Sequence, residues 1–444
     1  MKKQTRSRRR RQVPLRSRRR HNRHGRPKKS GNTYTVGLAA GYQEGVRAGT
    51  ESFGTYFDGT SIIIPSFNQR DYLQKCIESI HDHTPSPYEI IVVDNASTDG
   101  SAEYLQSVGG VVRYRVLDRN RGFAGATNVG LMMAKGNKLL LLNNDTIVTP
   151  HWLDNLLACL NSDPNIGMVG PVTNYISGDQ RIEVPYTEEN GILPFARRFN
   201  ASDPAKWQRT DRLTGFCLLF RRELWEQTGY LDEGFEIGNF EDDDFNIRVR
   251  LQGYALIIAR DTFIHHFGSV SMKALGSKFH EVNDRNEHVY MDKWGNPHDL
   301  IHAVRNSGAG RPPQGESSFF PQGVVVRGVT ETRYWIEGGM RRPIVGEAVV
   351  PVVRLSQIDV RRWPAGEPVS AAEVEASWYD QPQIWEADGV MYMAENGLRR
   401  RVPSAKAAEA WSLSLRQAAL SPEQLGQLGE GLPVIAPVRV AEHL

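Results

Sequence analysis

At 444 residues the chain is longer than one ordinary domain, and its hydrophobic fraction of 40% is ample for a core. Three widely spaced cysteines, Cys76, Cys159 and Cys217, exclude a disulfide scaffold or a cysteine-held zinc and read as small core residues in a reducing compartment. The net charge of +3 is uneven: residues 1–29 hold 15 Lys and Arg and no acid, which leaves the remainder near −12, from +3 minus 15.

That tail, with Arg8 to Arg11 and Arg18 to Arg20, repels itself and has little to bury, so disorder is expected. Its charge suits either plain solvent or an anionic surface such as membrane phospholipid or wall polymer. Nucleic acid is disfavoured, because no aromatic residues interleave with the charges to stack on bases. No apolar run approaches the roughly 18 residues of a membrane helix, and no apolar segment follows the basic start as in an export signal. A cytoplasmic location is expected, with peripheral attachment to a membrane or cell-surface assembly as the variant.

Gly37, Gly41, Gly45 and Gly49 recur every four residues, as a docking stripe or, preferably, a linker; residues 1–58 are assigned to tail and linker. From Thr60 short apolar runs alternate with amphipathic stretches. Ser61 to Ile64 reads as a buried strand ended by Pro65, and Tyr72, Leu73, Cys76, Ile77 and Ile80 follow at helical spacing. Glu89 to Val93 is a second strand running into Asp94-Asn95-Ala96-Ser97, and Val111 to Leu117 a third running into Asn120-Arg121-Gly122-Phe123. The fourth, Leu139 to Leu142, stops abruptly at Asn143-Asn144-Asp145. Thr149 is read as the cap of a helix with Pro150 at its first position, and Ile166 to Gly170 as a further strand.

This alternation predicts an α/β fold with a parallel, doubly wound sheet, in which residues just past the strands share one crevice. Pro65, Asp94, Arg121 and Asp145 would meet there. No Gly-x-Gly-x-x-Gly follows the first strand and no Gly-Lys-Ser/Thr loop occurs, which disfavours a dinucleotide oxidoreductase or a P-loop NTPase. Residues 173–212 lack periodicity and carry Tyr175, Phe195, Phe199 and Trp207; they read as an acceptor wall.

Glu241 to Asp244 opens a helix that runs to Gln252 and closes at Gly253. Acids are welcome in a first helical turn, and that suffices for Asp243. Asp244 and Arg248 can pair four residues apart. Asp242 shares a stripe with Phe245 and Val249, which turns it inward, where a carboxylate suits a general base.

Ser61 to Asn68, Val92 to Ser97, Asn120 to Phe123 with Asn128-Val129-Gly130, Leu142 to Thr146, and Glu241-Asp242 with Asp244 and Arg248 occur in an order that resembles family 2 glycosyltransferases. The likeness is to the inverting GT-A fold, a Rossmann-like and mostly parallel sheet, and particularly to the bacterial rhamnosyltransferase-like branch. It implies transfer of a sugar from a nucleotide-diphosphate donor to a hydroxyl of a glycan, lipid-linked or protein acceptor, with inversion. Pro65, Asp94, Arg121, Asn143 and Asn144 are thereby assigned to the nucleotide sugar, Asp94 to its base or ribose. Asp145 and His266 are assigned to a divalent cation, Mg²⁺ or Mn²⁺, and Asp242 to the catalytic base. Asn143 stands where an Asp-x-Asp motif has its first acid, and His265 is the alternative to His266, since neighbours on a strand point oppositely.

Residues 59–305 are expected to form the transferase domain, 306–325 a linker and 326–444 a duplicated β-rich module. Tyr334 to Ile344 recurs 58 positions later as Tyr392 to Val402, with Gly338-Gly339 and Asn396-Gly397 placed for tight hairpin turns. Trp335, Trp363, Trp385 and Trp411 read as core fillers ahead of sugar-stacking residues. Arg341, Arg342 and Arg399 to Arg401 could hold an anionic polymer. Two other functions compete with glycosyl transfer: a surface or glycan-binding protein with a vestigial transferase core, and nucleotidyl transfer on a related sheet.

Overall fold

The alternating pattern from Thr60 onward becomes a layered α/β structure in the computed structural model of this chain. It describes residues 54–444 apart from 86, 109, 111, 269–277, 308–314, 381–383, 388, 414–421 and 442–443, together with 43, 44 and 47. The basic tail, most of the glycine stripe, Val111 and the middle of the 306–325 stretch lie outside the described residues. The chain divides into two units, residues 1–55 and 56–444.

The second unit begins β1 (Phe57–Ser66), α1 (Arg70–His83), β2 (Tyr88–Asp94), α2 (Ser101–Ser107), β3 (Val112–Val116), α3 (Gly122–Met133) and β4 (Gly136–Leu142). It continues through β5 (Thr146–Ile147), α4 (Trp152–Asn161), β6 (Ile166–Val172), α5 (Ile192–Phe199), β7 (Trp207–Thr210), β8 (Cys217–Arg221) and α6 (Arg222–Thr228). The acid-led helix α7 (Glu241–Leu251) precedes β9 (Ala255–Phe263), β10 (His265–His266), α8 (Lys278–Trp294) and α9 (Pro297–Ser307).

Eight strands make one sheet in the order β3-β2-β1-β4-β8-β6-β9-β7. Its centre is the paired apolar run: Ile62 opposes Leu140 and Ile90 in parallel register. Leu139 and Leu141 face Ile63, Val93 and α3, whereas Leu140 and Leu142 face Ile62, Ile64 and α1. The alternation of a strand thus buries all four leucines, each worth roughly 1.5–3 kcal/mol.

A uniformly parallel sheet is not what forms. β8 runs against β4 and β6, and β7 runs against β9. Cys217 to Phe220 are buried on both faces, and an apolar run without alternation carries no signal of direction. Thr149 does not cap α4 either: the helix starts at Trp152, behind His151 with φ 64°. The Thr149 hydroxyl donates to the Phe263 carbonyl and accepts from Asn200 Nδ2, so tertiary partners outcompete the local cap.

After a 3-10 turn, Glu316–Phe319, whose end residues are buried, come β11 (Val324–Arg327), β12 (Arg333–Glu337), β13 (Met340–Val345), β14 (Val352–Arg354), α10 (Gln357–Arg362), β15 (Val369–Ser370) and α11 (Ala371–Asp380). The second copy is β16 (Ile384–Ala387), β17 (Val390–Glu395), β18 (Leu398–Val402), α12 (Ala405–Ala410) and β19 (Gly429–Glu430). Both hairpin turns put their central pair at positive φ, 58° and 74° for Gly338-Gly339 and 52° and 76° for Asn396-Gly397, as a two-residue turn of this hand requires. In the first copy Arg342 bridges Glu337 and donates to the Glu367 carbonyl. Arg400 does the same in the second with Glu395 and Leu432. Each arginine thus ties its hairpin to the segment that follows within its own copy. The tryptophans read as core fillers, Trp335, Trp363, Trp385 and Trp411, are buried, and so is Trp378. One apolar cluster joins Trp363, Trp411, Ile336 and Met393 to Ile247 and Leu251 on the back of α7, so the repeats pack directly behind the helix that carries Asp242.

Candidate active site

The carboxyl ends of β1, β2 and β4 open into a cleft of about 780 Å³. Pro65 and Ser66 line it where β1 ends. At the end of β2 the inward side chain is Asn95, because side chains alternate across a strand. Its amide donates to Asn120 Oδ1 (2.9 Å) and the Gly122 carbonyl (3.0 Å), and accepts from the Arg121 N–H (2.8 Å). Asn95 therefore fastens the β3–α3 loop to the sheet. Asp94 and Arg121, both assigned to the nucleotide sugar from sequence, do not line the cleft. The Asp94 carboxylate is turned to the Ser97 hydroxyl and fully covered, and burial raises its pKa. The Arg121 guanidinium reaches Asp118 (2.9 Å). Asn95, Asn120 and Phe123 hold the cleft positions instead.

The edge formed by β4 is Asn143, Asn144 and Asp145, all in the lining. Asn144 Nδ2 donates to Ser66 Oγ (3.1 Å), and the Thr146 hydroxyl donates to the Asn143 carbonyl (2.8 Å). β5 then pairs antiparallel with β10, Thr146 opposite His266. That short ladder brings residues 121 positions apart into contact: His266 Nε2 lies 3.1 Å from Asp145 Oδ1. His266 Nδ1 lies 2.8 Å from the Tyr175 carbonyl, which can only accept, so Nδ1 carries the proton. Nε2 is thereby turned to the Asp145 carboxylate at the rim of the cleft. Phe216 stacks on the ring at 5.4 Å and fixes its plane. His265 points the other way, to the Tyr186 hydroxyl (2.9 Å), and burial lowers its pKa to about 4.

Across the cleft stands the first turn of α7. The Gly215 N–H donates to Asp242 Oδ2 (2.8 Å) and the Asp243 N–H to Asp242 Oδ1 (2.9 Å). Burial, and then the charge of Asp243, raise the Asp242 pKa to about 6 in spite of Arg212. Asp243 is held by Arg212 at 2.5 Å. Glu241 is buried, with Oε2 lacking a hydrogen-bond partner, and burial followed by the charge of Asp242 pushes its pKa well up. In the sequence the helix dipole alone accounts for an acid at Glu241; only its burial marks it out. Of the aromatics read as an acceptor wall, Tyr175 lines the cleft. Phe195 and Phe199 pack on Phe263, and Trp207 donates to Asp261 (3.0 Å). The stretch is not structureless, since α5 and β7 lie within it.

No group of three or more His, Cys, Asp or Glu that could hold a metal occurs among the described residues. Asp145 and His266 offer a carboxylate and an imidazole at one edge of the cleft, a donor pair that would fit a divalent cation with further oxygen ligands. No helix among the described residues is long and apolar enough to cross a membrane.

Residues 61–229 match the family described as "Glycosyl transferase family 2". The chain is 29% identical over 226 residues to the O-antigen biosynthesis protein RfbC of Myxococcus xanthus, covering 48% of this chain and 18% of that one. It is 32% identical over 122 residues to glycosyltransferase GlyG of Streptococcus pneumoniae, covering 27% and 40%. With the uncharacterized glycosyltransferase EpsJ of Bacillus subtilis it shares 28% over 214 residues, covering 45% and 60%. The chain thus spans less than two thirds of each of these relatives. Among solved structures, GalNAc-T7 with UDP, GalNAc and Mn²⁺ superposes with a TM-score of 0.41 at 19% identity, covering 57% of this chain and 51% of that one. The family match ends before Asp242 and His266, whose placement rests on the geometry above. It is over residues 61–229 that the chain is similar to glycosyl transferase family 2.

Proposed function

We propose that this chain transfers a sugar from a nucleotide-diphosphate donor to a hydroxyl acceptor, with inversion and with a divalent cation held by Asp145 and His266. The observation that carries the reading is the cleft itself, in which a half-buried carboxylate at the start of α7 shares one wall-to-wall space with the Asp145–His266 edge. When bound there, a divalent cation held by Asp145 and His266 would offset the charge developing on a leaving diphosphate. Asn144 and Ser66 are placed to orient the donor beside it. Asp242, fixed by two backbone N–H groups, takes the acceptor proton as the hydroxyl attacks the anomeric carbon from the opposite face. Relatives named for O-antigen and chondroitin synthesis favour a glycan or glycoconjugate acceptor. Burial of Trp335, Trp363, Trp378, Trp385 and Trp411 leaves none of these tryptophans as an open platform for a sugar ring, which disfavours the glycan-binding alternative.

Incubation with Mn²⁺ and a panel of nucleotide sugars tests the reading through nucleotide release. Release or thermal stabilisation by at least one donor is expected; neither response from any donor would end it. The raised Asp242 pKa adds a pH prediction. The base must be ionised, so kcat/KM should rise with pH along a limb centred near 6 and level off above it. A profile already flat down to pH 4.5 would contradict Asp242 as the base. Asp145→Ala should in turn abolish the response of turnover to added Mn²⁺, read by titrating the metal at saturating donor.

A further inference from the structure

The loop that launches α7 is strained. Ile237, Asn239 and Phe240 adopt left-handed φ values of 65°, 80° and 72°. For a β-branched residue such as Ile237 this is a genuine outlier, and such conformations persist only where the surroundings over-determine them. All of Ile237 to Phe240 line the cleft, and the Asp244 N–H closes the first turn of α7 on the Phe240 carbonyl (2.9 Å). Asp242 follows two residues after Phe240, so the backbone path through this loop sets where the carboxylate stands.

One side chain holds that path from behind. Asn286, on α8 and without solvent exposure, accepts from the Glu236 N–H (3.2 Å) through Oδ1. Its Nδ2 faces the carbonyls of Glu236 (3.0 Å), Gly238 (2.8 Å) and Asn239 (3.2 Å). Only an amide supplies an acceptor and two donors at one point. From the other side the Phe123 N–H donates to the Ile237 carbonyl (2.8 Å), which ties the loop to the segment held by Asn95. The Phe240 ring packs on Tyr290, one turn further along α8 (centroids 5.5 Å).

We propose that Asn286 is a positioning residue for the transfer step: its amide latches the strained Ile237–Phe240 loop and thereby places Asp242 and the cleft wall. The kinetic half of the proposal rests on the transferase reading; the structural half does not. Loss of the latch lets the loop relax toward ordinary φ values, which moves the base relative to a donor bound at the opposite edge. A displacement of this kind, on the order of 1 Å, costs up to about 100-fold in rate.

The test compares Asn286→Ala, Asn286→Asp and Arg285→Ala. Asn286→Ala should lower kcat about 10- to 100-fold while donor KM stays within about 3-fold, and amides of residues 236–240 should exchange with deuterium at least about tenfold faster, with β1 and β4 unmoved. Asn286→Asp, which keeps the acceptor but faces three carbonyls with a carboxylate, should do no better than alanine. Arg285→Ala removes an exposed ion pair to the same loop (2.6 Å to Glu236) and should leave kcat within about 2-fold. Wild-type kcat in Asn286→Ala, unchanged exchange in the loop, or an equal loss in Arg285→Ala would overturn the proposal. If Asn286→Ala does not fold, Asn286→Ser retains one donor and should fold with reduced kcat; its failure to fold would make Asn286 a fold determinant and sink the positioning role. If the wild-type protein transfers no sugar, the transferase reading fails, while the exchange comparison still decides whether Asn286 holds the loop.

Discussion

Asp242→Asn is expected to lower kcat by about 10²- to 10⁴-fold, the usual contribution of a positioned general base. Asparagine preserves size and can still accept from the Gly215 N–H (2.8 Å), so the loop and helix around it should remain in place. What it cannot do is take a proton. Donor KM should therefore change little, and the pH limb near 6 should vanish from the residual activity, since that limb belongs to the Asp242 carboxyl. Activity within about threefold of wild type would remove Asp242 from the mechanism, because no base-catalysed step tolerates that substitution so lightly.

The second large effect lies behind α7. Arg248→Met is expected to destabilise the protein by about 3–5 kcal/mol, the cost of breaking a buried charge cluster from one side. Arg248 is fully buried and donates to Asp244 (2.9 Å) and to the carbonyls of Thr228 and Tyr230 (both 2.8 Å), with Glu316 at 3.4 Å. Asp244 also receives Lys293 (2.6 Å) and the Trp294 indole N–H (2.9 Å), and Lys293 reaches Asp232 (2.6 Å). Methionine fills much of the volume but leaves Glu316 and two carbonyls without their donor. At 2–4 °C per kcal/mol the melting temperature should fall on the order of 10 °C, measurable by calorimetry. A change below about 1 kcal/mol would mean that the cluster is not what joins α7 to the repeats. For Asp244 itself burial pushes the pKa up, but Lys293 and Arg248 outweigh it and leave it below the ordinary value. Its contribution to stability is accordingly present above the ordinary carboxylate range and lost as pH falls through the lowered pKa.

This cluster also explains what the C-terminal region contributes. Glu316 opens it, Asp359 pairs with Arg362 (2.8 Å), and Arg362 lies 3.8 Å from Glu316. The end of the chain returns as well: the Arg439 N–H donates to Asp232 (3.1 Å), and Leu444 is buried beside Leu231. The repeats thus brace the back of the helix whose front carries Asp242.

How legible this was in the sequence depended on the kind of signal. Leu139 to Leu142 and Ile62 to Ile64 announced central strands because only a doubly covered sheet buries such runs. The two hairpins were legible from Gly338-Gly339 and Asn396-Gly397 because turn geometry restricts residue choice. His266 and His265 separated as strand alternation requires, one to Asp145 and one to Tyr186. The direction of β8 was hidden by its uniform apolarity. Asp94 and Arg121 drew attention as charges past strand ends, yet their uncharged neighbours Asn95 and Asn120 face the cleft. A shift of one residue at a strand end reverses the side, and sequence resolves boundaries more coarsely than that. Asn286 was invisible: one asparagine in a polar helix gains meaning only from the strained loop opposite it.

The central claim is that one edge of the cleft binds the donor through a cation and the other removes the acceptor proton. The most direct measurement is Mn²⁺-dependent donor binding, by calorimetry, alongside nucleotide release in wild type, Asp145→Ala and Asp242→Asn. The account predicts that Asp145→Ala loses the Mn²⁺-dependent binding, whereas Asp242→Asn binds donor as wild type does and releases almost no nucleotide. Equal loss of binding in both variants, or undiminished metal-dependent binding in Asp145→Ala, would contradict it.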